Sequence, residues 1–434
     1  MARAQLMLAT PELILEAGLA RRVAEVLPRY LSTVPLYRQA GGLPPADGAD
    51  RAMAALGRLP LLTKEDMRRD FPRNFLGDDV GLDALLDEER IELEQTSGTS
   101  EERTPLVLPR GWWAEQEERA LRLNPFVAAV LDEYPGARRV TLSSPVCSGE
   151  ICYTGVPSRN ERIVGNALFV SLSRYPFLWS ESELRRIAAE TLEWQPQFLD
   201  VDPVYGVVFA LYCERRGIRL PSLRFVLCSY EFVSLTHRRI LQRAFGVPVF
   251  DLYGSTETGH LMMEDEHGEK RPSLETALFE VLEVDPAGVG ALIVTTLTND
   301  YMPLLRYRIG DLVERLERPY HTRYVVHGRA ADAFQTRGGA RVTTRQIDEC
   351  FCGLSGFAHY QLSERPGGPW LLRFVPDVSA PEPASLAELE RRLTGLLNLP
   401  AGLEIQSTDM LVPETSGKFR LGYPARRSAD GVRA

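Results

Sequence analysis

Five short segments of this 434-residue chain carry side chains suited to handling a nucleotide. Thr96-Ser97-Gly98-Thr99-Ser100 offers hydroxyls, backbone N–H groups and one glycine that lets phosphate come close, although a Ser/Thr-Gly turn has the same letters. In Asp251-Leu252-Tyr253-Gly254-Ser255-Thr256-Glu257, Glu257 is able to hold Mg2+ with water and phosphate oxygens, and Tyr253 to stack a purine. A strand exit with a surface glutamate is the competing reading. Asp311, after Gly310, has the two oxygens that a ribose diol needs, or is a turn aspartate. Gly328-Arg329, with Arg337-Gly338 behind it, reads as a hinge region. Lys418, in Ser416-Gly417-Lys418, is a cation that a mobile loop can bring to a charged transition state, or a solvated tail lysine. The order and co-occurrence of the five segments favour the chemistry: a phosphate cradle, a metal-binding acid, a ribose-binding acid and a cation are the parts that activation of a carboxylate by ATP requires.

These residues need a scaffold. Residues 11–40 read as an amphipathic helix, Trp112–Leu131 as a second long helical stretch, and Ile91–Glu94 as a strand leading to the first segment. Strands at Arg139–Ser143, Gln197–Val201, Leu223–Cys228 and Val247–Leu252 alternate with helices at Glu181–Trp194, Val204–Arg216 and Thr236–Phe245. That alternation predicts a parallel sheet covered on both faces, with ligands beyond the carboxyl ends of the strands, where Asp251 falls. Ala277–Val284, Ala291–Leu297 and Arg323–Val326 read as antiparallel strands, and Leu304–Ile309 as strand-like, with Arg306 and Arg308 alternating toward phosphate or solvent. Strands at Phe357–Leu362, Trp370–Val375 and Leu403–Ser407 with a helix at Leu386–Leu397 read as a small α+β domain.

Length argues for two or more domains. Hydrophobic content of 44% and charged content of 25% describe a soluble globular protein. The net charge of −9, with no basic cluster, argues against a nucleic-acid partner. No apolar run is long enough to span a membrane, and the first ten residues lack a secretory pattern, so a cytoplasmic protein is expected. Six cysteines suit a reducing compartment, and neither Cys350/Cys352 nor Cys147/Cys152 has a zinc-ribbon spacing, so buried free thiols are expected.

With these segments in this order, the chain resembles the adenylate-forming superfamily of acyl-CoA synthetases, peptide-synthetase adenylation domains and luciferases, and within it the phenylacetate-CoA ligase-like proteins. Val34-Pro35-Leu36-Tyr37-Arg38, Leu59 to Asp66, and Thr295 to Thr298 followed by Pro303 to Arg308 resemble that subgroup most specifically. The resemblance implies an α/β fold: a large N-terminal domain (1–328) of several subdomains, a parallel sheet covered by helices plus an antiparallel β subdomain, and a small mobile α+β lid (329–434). It implies that Asp251 and Tyr253 contact adenine, with Gly254 and Ser255 in the same nucleotide-binding motif. Tyr230 and Glu231 would form an adenine-side loop, Thr256 would bond phosphate or carboxylate oxygens, and Glu257 would hold Mg2+. Asp311 would bind ribose, Arg329 would follow the nucleotide, and Lys418 would bridge developing charge. Tyr153, Tyr205 and Tyr230 are candidates for an acyl pocket. The implied reaction joins an aromatic or cyclic acid to AMP with release of pyrophosphate, then passes the acyl group to the thiol of CoA. A carrier-protein phosphopantetheine or an amine is the alternative acceptor, and a non-catalytic binding homologue the alternative role. A homodimer is compatible with all of these. Three departures stand out: Glu101 where the phosphate loop usually has a second glycine, Ala331 where the hinge usually has Asp or Lys, and no cysteine cluster in Leu261 to His267, so no structural zinc is expected there.

Overall fold

The computed structural model describes residues 11–38, 48–77, 80–96, 103–145, 157–319, 321–336, 338–365, 367–399 and 402–425. Ser97, Gly98, Thr99, Ser100, Glu101, Cys147, Cys152, Tyr153 and Arg337 lie outside the described residues. The fold is α/β, with two compact units: residues 1–125 with 252–326, and residues 126–251 with 327–434.

The first unit is built on antiparallel pairs. Ala277–Leu282 pairs with Val289–Thr296, and that strand with Tyr307–Arg318. Lys270–Pro272 pairs with Gly259–Glu264, whose other edge takes Leu252–Ser255. Val289–Thr296 is buried along its whole length, between sheet neighbours on both sides. Its core runs from Val23, Leu27 and Tyr30 of the helix Pro11–Thr33 to Leu292, Val294 and Tyr307. The hairpin Ile91–Gln95/Pro105–Pro109 closes at its open end through Thr96 N–H to Thr104 O and Thr104 N–H to Thr96 Oγ1, both 3.0 Å. The expected helix Trp112–Leu131 is two helices, Trp112–Leu121 and Pro125–Glu133. Pro125 has no N–H to give to a continuing helix, and its ring crowds the preceding turn.

The second unit holds the parallel sheet. Ala167–Phe169, Arg139–Leu142, Phe198–Val201, Phe225–Cys228 and Val249–Asp251 lie side by side in parallel. Each crossover helix starts on a polar cap: Ser180 for Glu181–Trp194, Asp202 for Pro203–Arg216, Ser234 for Leu235–Phe245. Each cap side chain accepts a first-turn N–H that the helix cannot satisfy itself. Leu184, Ile187, Ala188 and Thr191 recur at helical spacing and are buried. The last strands, Leu403–Ser407, Trp370–Pro376, Phe357–Ser363 and Gly422–Tyr423, form a separate four-stranded sheet with the helix Pro383–Leu397. Four residues from this C-terminal part, Ala358, Val375, Leu411 and Phe419, join the core of the parallel sheet.

Candidate active site

In the first unit the Tyr-Gly-Ser-Thr-Glu segment turns back on itself as a hairpin. Tyr253 pairs with Met262, Gly254 with His260, and Thr256 to Thr258 form the bend. A Cβ on Gly254 would strike Gly259 O, so no larger residue closes this bend. Ser255 Oγ and Thr258 Oγ1 share a hydrogen bond of 2.9 Å inside it. Thr256 is half-buried and Glu257 buried.

Glu257 Oε1 accepts from the Tyr307 hydroxyl at 3.0 Å and meets Lys64 Nζ at 2.8 Å. Burial by itself would raise this carboxyl. The Lys64 charge and hydrogen bond, with smaller help from its own N–H and Ser255, more than offset that and hold it below the usual glutamate range. Lys64 is delivered by backbone pairing. Leu62 N–H bonds Arg306 O and Arg308 N–H bonds Leu62 O, both 3.0 Å, so the segment lies along the start of the Tyr307 strand. The helix Lys64–Arg68 then begins under a reciprocal Thr63/Asp66 cap.

Asp311 is not a turn residue. It lies inside the strand Tyr307–Arg318, where the register against Val289–Thr296 shifts between Arg308 and Leu312. Such a bulge re-aims a side chain, and Asp311 Oδ2 accepts the Tyr253 hydroxyl at 2.6 Å. The expected alternation of Arg306 and Arg308 fails, because Arg306 adopts φ 53° before the strand begins. Arg306 is committed to Glu280 at 3.0 Å and to the carbonyls of Gly57 and Leu59, while Arg308 pairs with Glu283.

The second unit gathers acids at the carboxyl ends of its parallel strands. Asp251 ends one, opposite Cys228. Asp200, in the strand on the other side of Phe225–Cys228, accepts Ser229 Oγ at 2.5 Å and the Tyr230 hydroxyl at 3.1 Å. This anchors Tyr230, which is exposed and has φ 74°, an unusual backbone for an aromatic residue. Asp202 caps its helix from a buried position. Burial raises it despite the Val204 and Tyr205 N–H groups and the Lys418 cation. Glu231 is raised well above the usual range, by burial and then by Asp202; Lys418 and the Phe419 N–H pull the other way.

Lys418 is half-buried, and its charge acts on both acids. Phe419 N–H donates to Glu231 Oε1 at 2.7 Å. Two residues on, Arg420 bonds Asp332 at 2.5 Å and Glu414 at 3.1 Å, tying the loop to the turn Ala330–Asp332 after the exposed Arg329. Tyr205 has no exposed surface; it packs edge-on to Trp179 and Phe419. Thr96 is buried at the base of its hairpin loop. The structure thus brings Tyr253 to Asp311, and the loop that carries Lys418 to Glu231 through the Phe419 N–H. Sequence reasoning gave no site role to Lys64, Asp200, Asp202 or Tyr307. Lys64 lies in one of the segments that carried the resemblance, which was the available signal. Among the described residues no cluster of His, Cys, Asp or Glu is arranged to hold a metal ion, and Cys213, Cys228, Cys350 and Cys352 are free thiols, all but Cys352 buried. No helix is long and apolar enough to cross a membrane among the described residues.

No family model matches the chain. The phenylacetate-coenzyme A ligase of Pseudomonas putida is 26% identical over 338 residues, spanning 73% of this chain and 70% of that protein. The phenylacetate-coenzyme A ligase of Escherichia coli (strain K12) is 24% identical over 371 residues, 80% of this chain and 78% of that protein. The crystal structure of 2-hydroxyisobutyryl-CoA ligase in the postadenylation state, in complex with R3-HIB-AMP, matches with a TM-score of 0.67 at 18% identity, over 93% of this chain and 88% of that one. Over most of its length the chain is thus similar in sequence to phenylacetate-coenzyme A ligases, and it shares the fold of 2-hydroxyisobutyryl-CoA ligase.

Proposed function

We propose that this chain is an acid–thiol ligase that activates an aromatic or cyclic carboxylic acid with ATP and passes the acyl group to the thiol of CoA. In the first step a carboxylate oxygen attacks the α-phosphorus of ATP. The bond from that phosphorus to the bridging oxygen breaks, and pyrophosphate leaves with the electron pair. The single observation that carries the reading is the seat of the Lys418 loop at the carboxyl ends of Phe198–Val201 and Phe225–Cys228, where Phe419 N–H, next to Lys418, reaches Glu231 Oε1 and where open α/β sheets take their ligands.

Within the second unit, Lys418 stabilises the charge that develops on the transferred phosphoryl group, and Asp251 and Tyr230 stand on the adenine side. Arg329 follows the nucleotide, and the segment from Arg329 onward serves as the lid. Within the first unit, Asp311 takes the ribose hydroxyls in exchange for the Tyr253 hydroxyl. The Thr96 to Ser100 loop cradles pyrophosphate, and Thr256 donates to phosphate or carboxylate oxygens. An ionised Glu257 is a hard oxygen donor that fits Mg2+, which when bound would neutralise phosphate charge. Tyr205 and Tyr153 remain the proposed acyl-pocket walls.

A binding homologue without turnover is the second reading, favoured by the exposed Ala331 at the turn where a hinge Asp or Lys is usual. ATP–pyrophosphate exchange across aryl, alicyclic and short aliphatic acids separates the two. Exchange is expected with aryl or alicyclic acids, and its absence with every acid sinks the ligase reading. CoA and a phosphopantetheinylated carrier protein, offered in turn to the loaded enzyme, decide the acceptor.

A further inference from the structure

Lys418 sits on a loop, yet a catalytic cation must be held to within fractions of an ångström to act. Two bonds clamp the peptide unit that follows it. Its carbonyl, Lys418 O, accepts the Glu414 N–H at 2.8 Å, a bond internal to the loop. Its N–H, on Phe419, donates to Glu231 Oε1 at 2.7 Å, a bond to the parallel-sheet body. The Phe419 ring is buried against Phe177, Tyr205 and His359, with centroids at 5.9, 6.3 and 5.5 Å. Lys418 thus projects from a peptide fixed on both sides, next to a ring sunk in the core.

We propose that Glu231 is a positioning residue for Lys418, acting through the Phe419 N–H, and that Phe419 is the anchor that makes this bond possible. This rests on Lys418 being the adenylation cation. It differs from the adenine-side role that the resemblance implies for Glu231. A side-chain oxygen that accepts the N–H is the essential part, so glutamine keeps the function that alanine loses.

The test compares Glu231→Ala and Glu231→Gln, each alone and with Lys418→Ala, in ATP–pyrophosphate exchange and in amide hydrogen exchange of the Phe419 N–H. Glu231→Ala is expected to lower kcat of exchange roughly 10- to 100-fold, with KM for ATP within about threefold. Glu231→Gln restores most of it, and in the Lys418→Ala background Glu231→Ala changes the residual rate less than about twofold. The Phe419 amide exchanges at least about tenfold faster in Glu231→Ala than in the wild type or Glu231→Gln. A raised KM for ATP with unchanged kcat, or equal losses from both substitutions, would return Glu231 to nucleotide contact and overturn the proposal. An unprotected Phe419 amide in the wild type overturns it as well. Should the wild type show no exchange with any acid, the ligase reading falls, and the amide arm still decides whether Glu231 holds the loop.

Discussion

Replacing Lys64 by Met should turn Glu257 from a stabilising into a destabilising group. The carboxyl is buried and would be raised by that burial, but Lys64, 2.8 Å from Oε1, leaves it below the usual range. Two unit charges 4 Å apart attract by about 4 kcal/mol at the dielectric typical near a protein surface. Lys64 is 38% exposed, so solvent screens most of that. A residue of ~1–2 kcal/mol is equivalent to about one pKa unit. Methionine keeps the length and apolar stem and deletes the charge, so burial becomes the largest influence left on Glu257 and its pKa should rise above its unfolded value.

The sign then follows. In the wild type the depressed pKa contributes stability that is present above the unfolded pKa and is lost as pH falls through the folded one. In Lys64→Met the raised pKa removes stability as pH climbs from the unfolded value to the folded one. The penalty of the substitution should therefore be small near pH 4 and reach ~1–2 kcal/mol by pH 8. Urea denaturation across that range measures it, and the acid limb of pyrophosphate exchange should move to higher pH. In a Glu257→Gln background the pH dependence of the penalty should vanish. A penalty of equal size at every pH, with the acid limb unmoved, would refute the electrostatic account and leave Lys64 a packing residue.

Lys418→Ala should slow ATP–pyrophosphate exchange by about 100-fold or more while nucleotide binding, followed by calorimetry, changes less than about threefold. If Asp311 binds the ribose as proposed, Asp311→Ala should raise KM for ATP roughly 10- to 100-fold, with a smaller fall in kcat. Asp348 is buried, accepts from Leu235 N–H at 2.8 Å and Tyr360 Oη at 2.9 Å, and is pushed up to about 7 by burial. Its raised pKa erodes stability as pH rises from about 4 to 7, so Asp348→Asn should match the wild type near pH 4 and exceed it by ~2–4 kcal/mol at pH 8 in chemical denaturation.

The helix Glu181–Trp194 was legible to the residue, because a Ser180 cap precedes an i, i+3, i+4, i+7 apolar face and the chain leaves through Gln195 at φ 53°. Four of the five parallel strands were legible for the same kind of local reason, short apolar runs beside helices, whereas the three-residue strand Ala167–Phe169 was too short to show one. The strand Gly259–Glu264 was not, since Leu261, Met262 and Met263 are buried in succession and show no period of two. Arg306 escaped because nothing in its letters announces a left-handed backbone. The chemistry-bearing motifs were readable one by one, but their partners were not. Lys64 and Glu257 are brought together by a backbone bridge from Leu62 to Tyr307, and Lys418 is held through the N–H of its neighbour. Any residue except proline can donate a backbone N–H, and every residue has a carbonyl to accept one, so such a bond leaves no trace in sequence.

The two acidic centres are biased in opposite directions, and each bias suits its proposed task. Glu257 has to be charged to hold a divalent cation, and Lys64 keeps it so. Asp202 and Glu231 stand beside the cation that must serve phosphate. If both carried a full charge they would bind Lys418 as a tight pair and repel an approaching triphosphate. Burial raises both carboxyls, and Asp202 raises Glu231 further, each against the opposing pull of Lys418. A protonated Glu231 still has a carbonyl oxygen to accept the Phe419 N–H, so the loop can be held without neutralising the lysine. The same carboxyl group can therefore fix the position of Lys418 while leaving its charge available to the nucleotide.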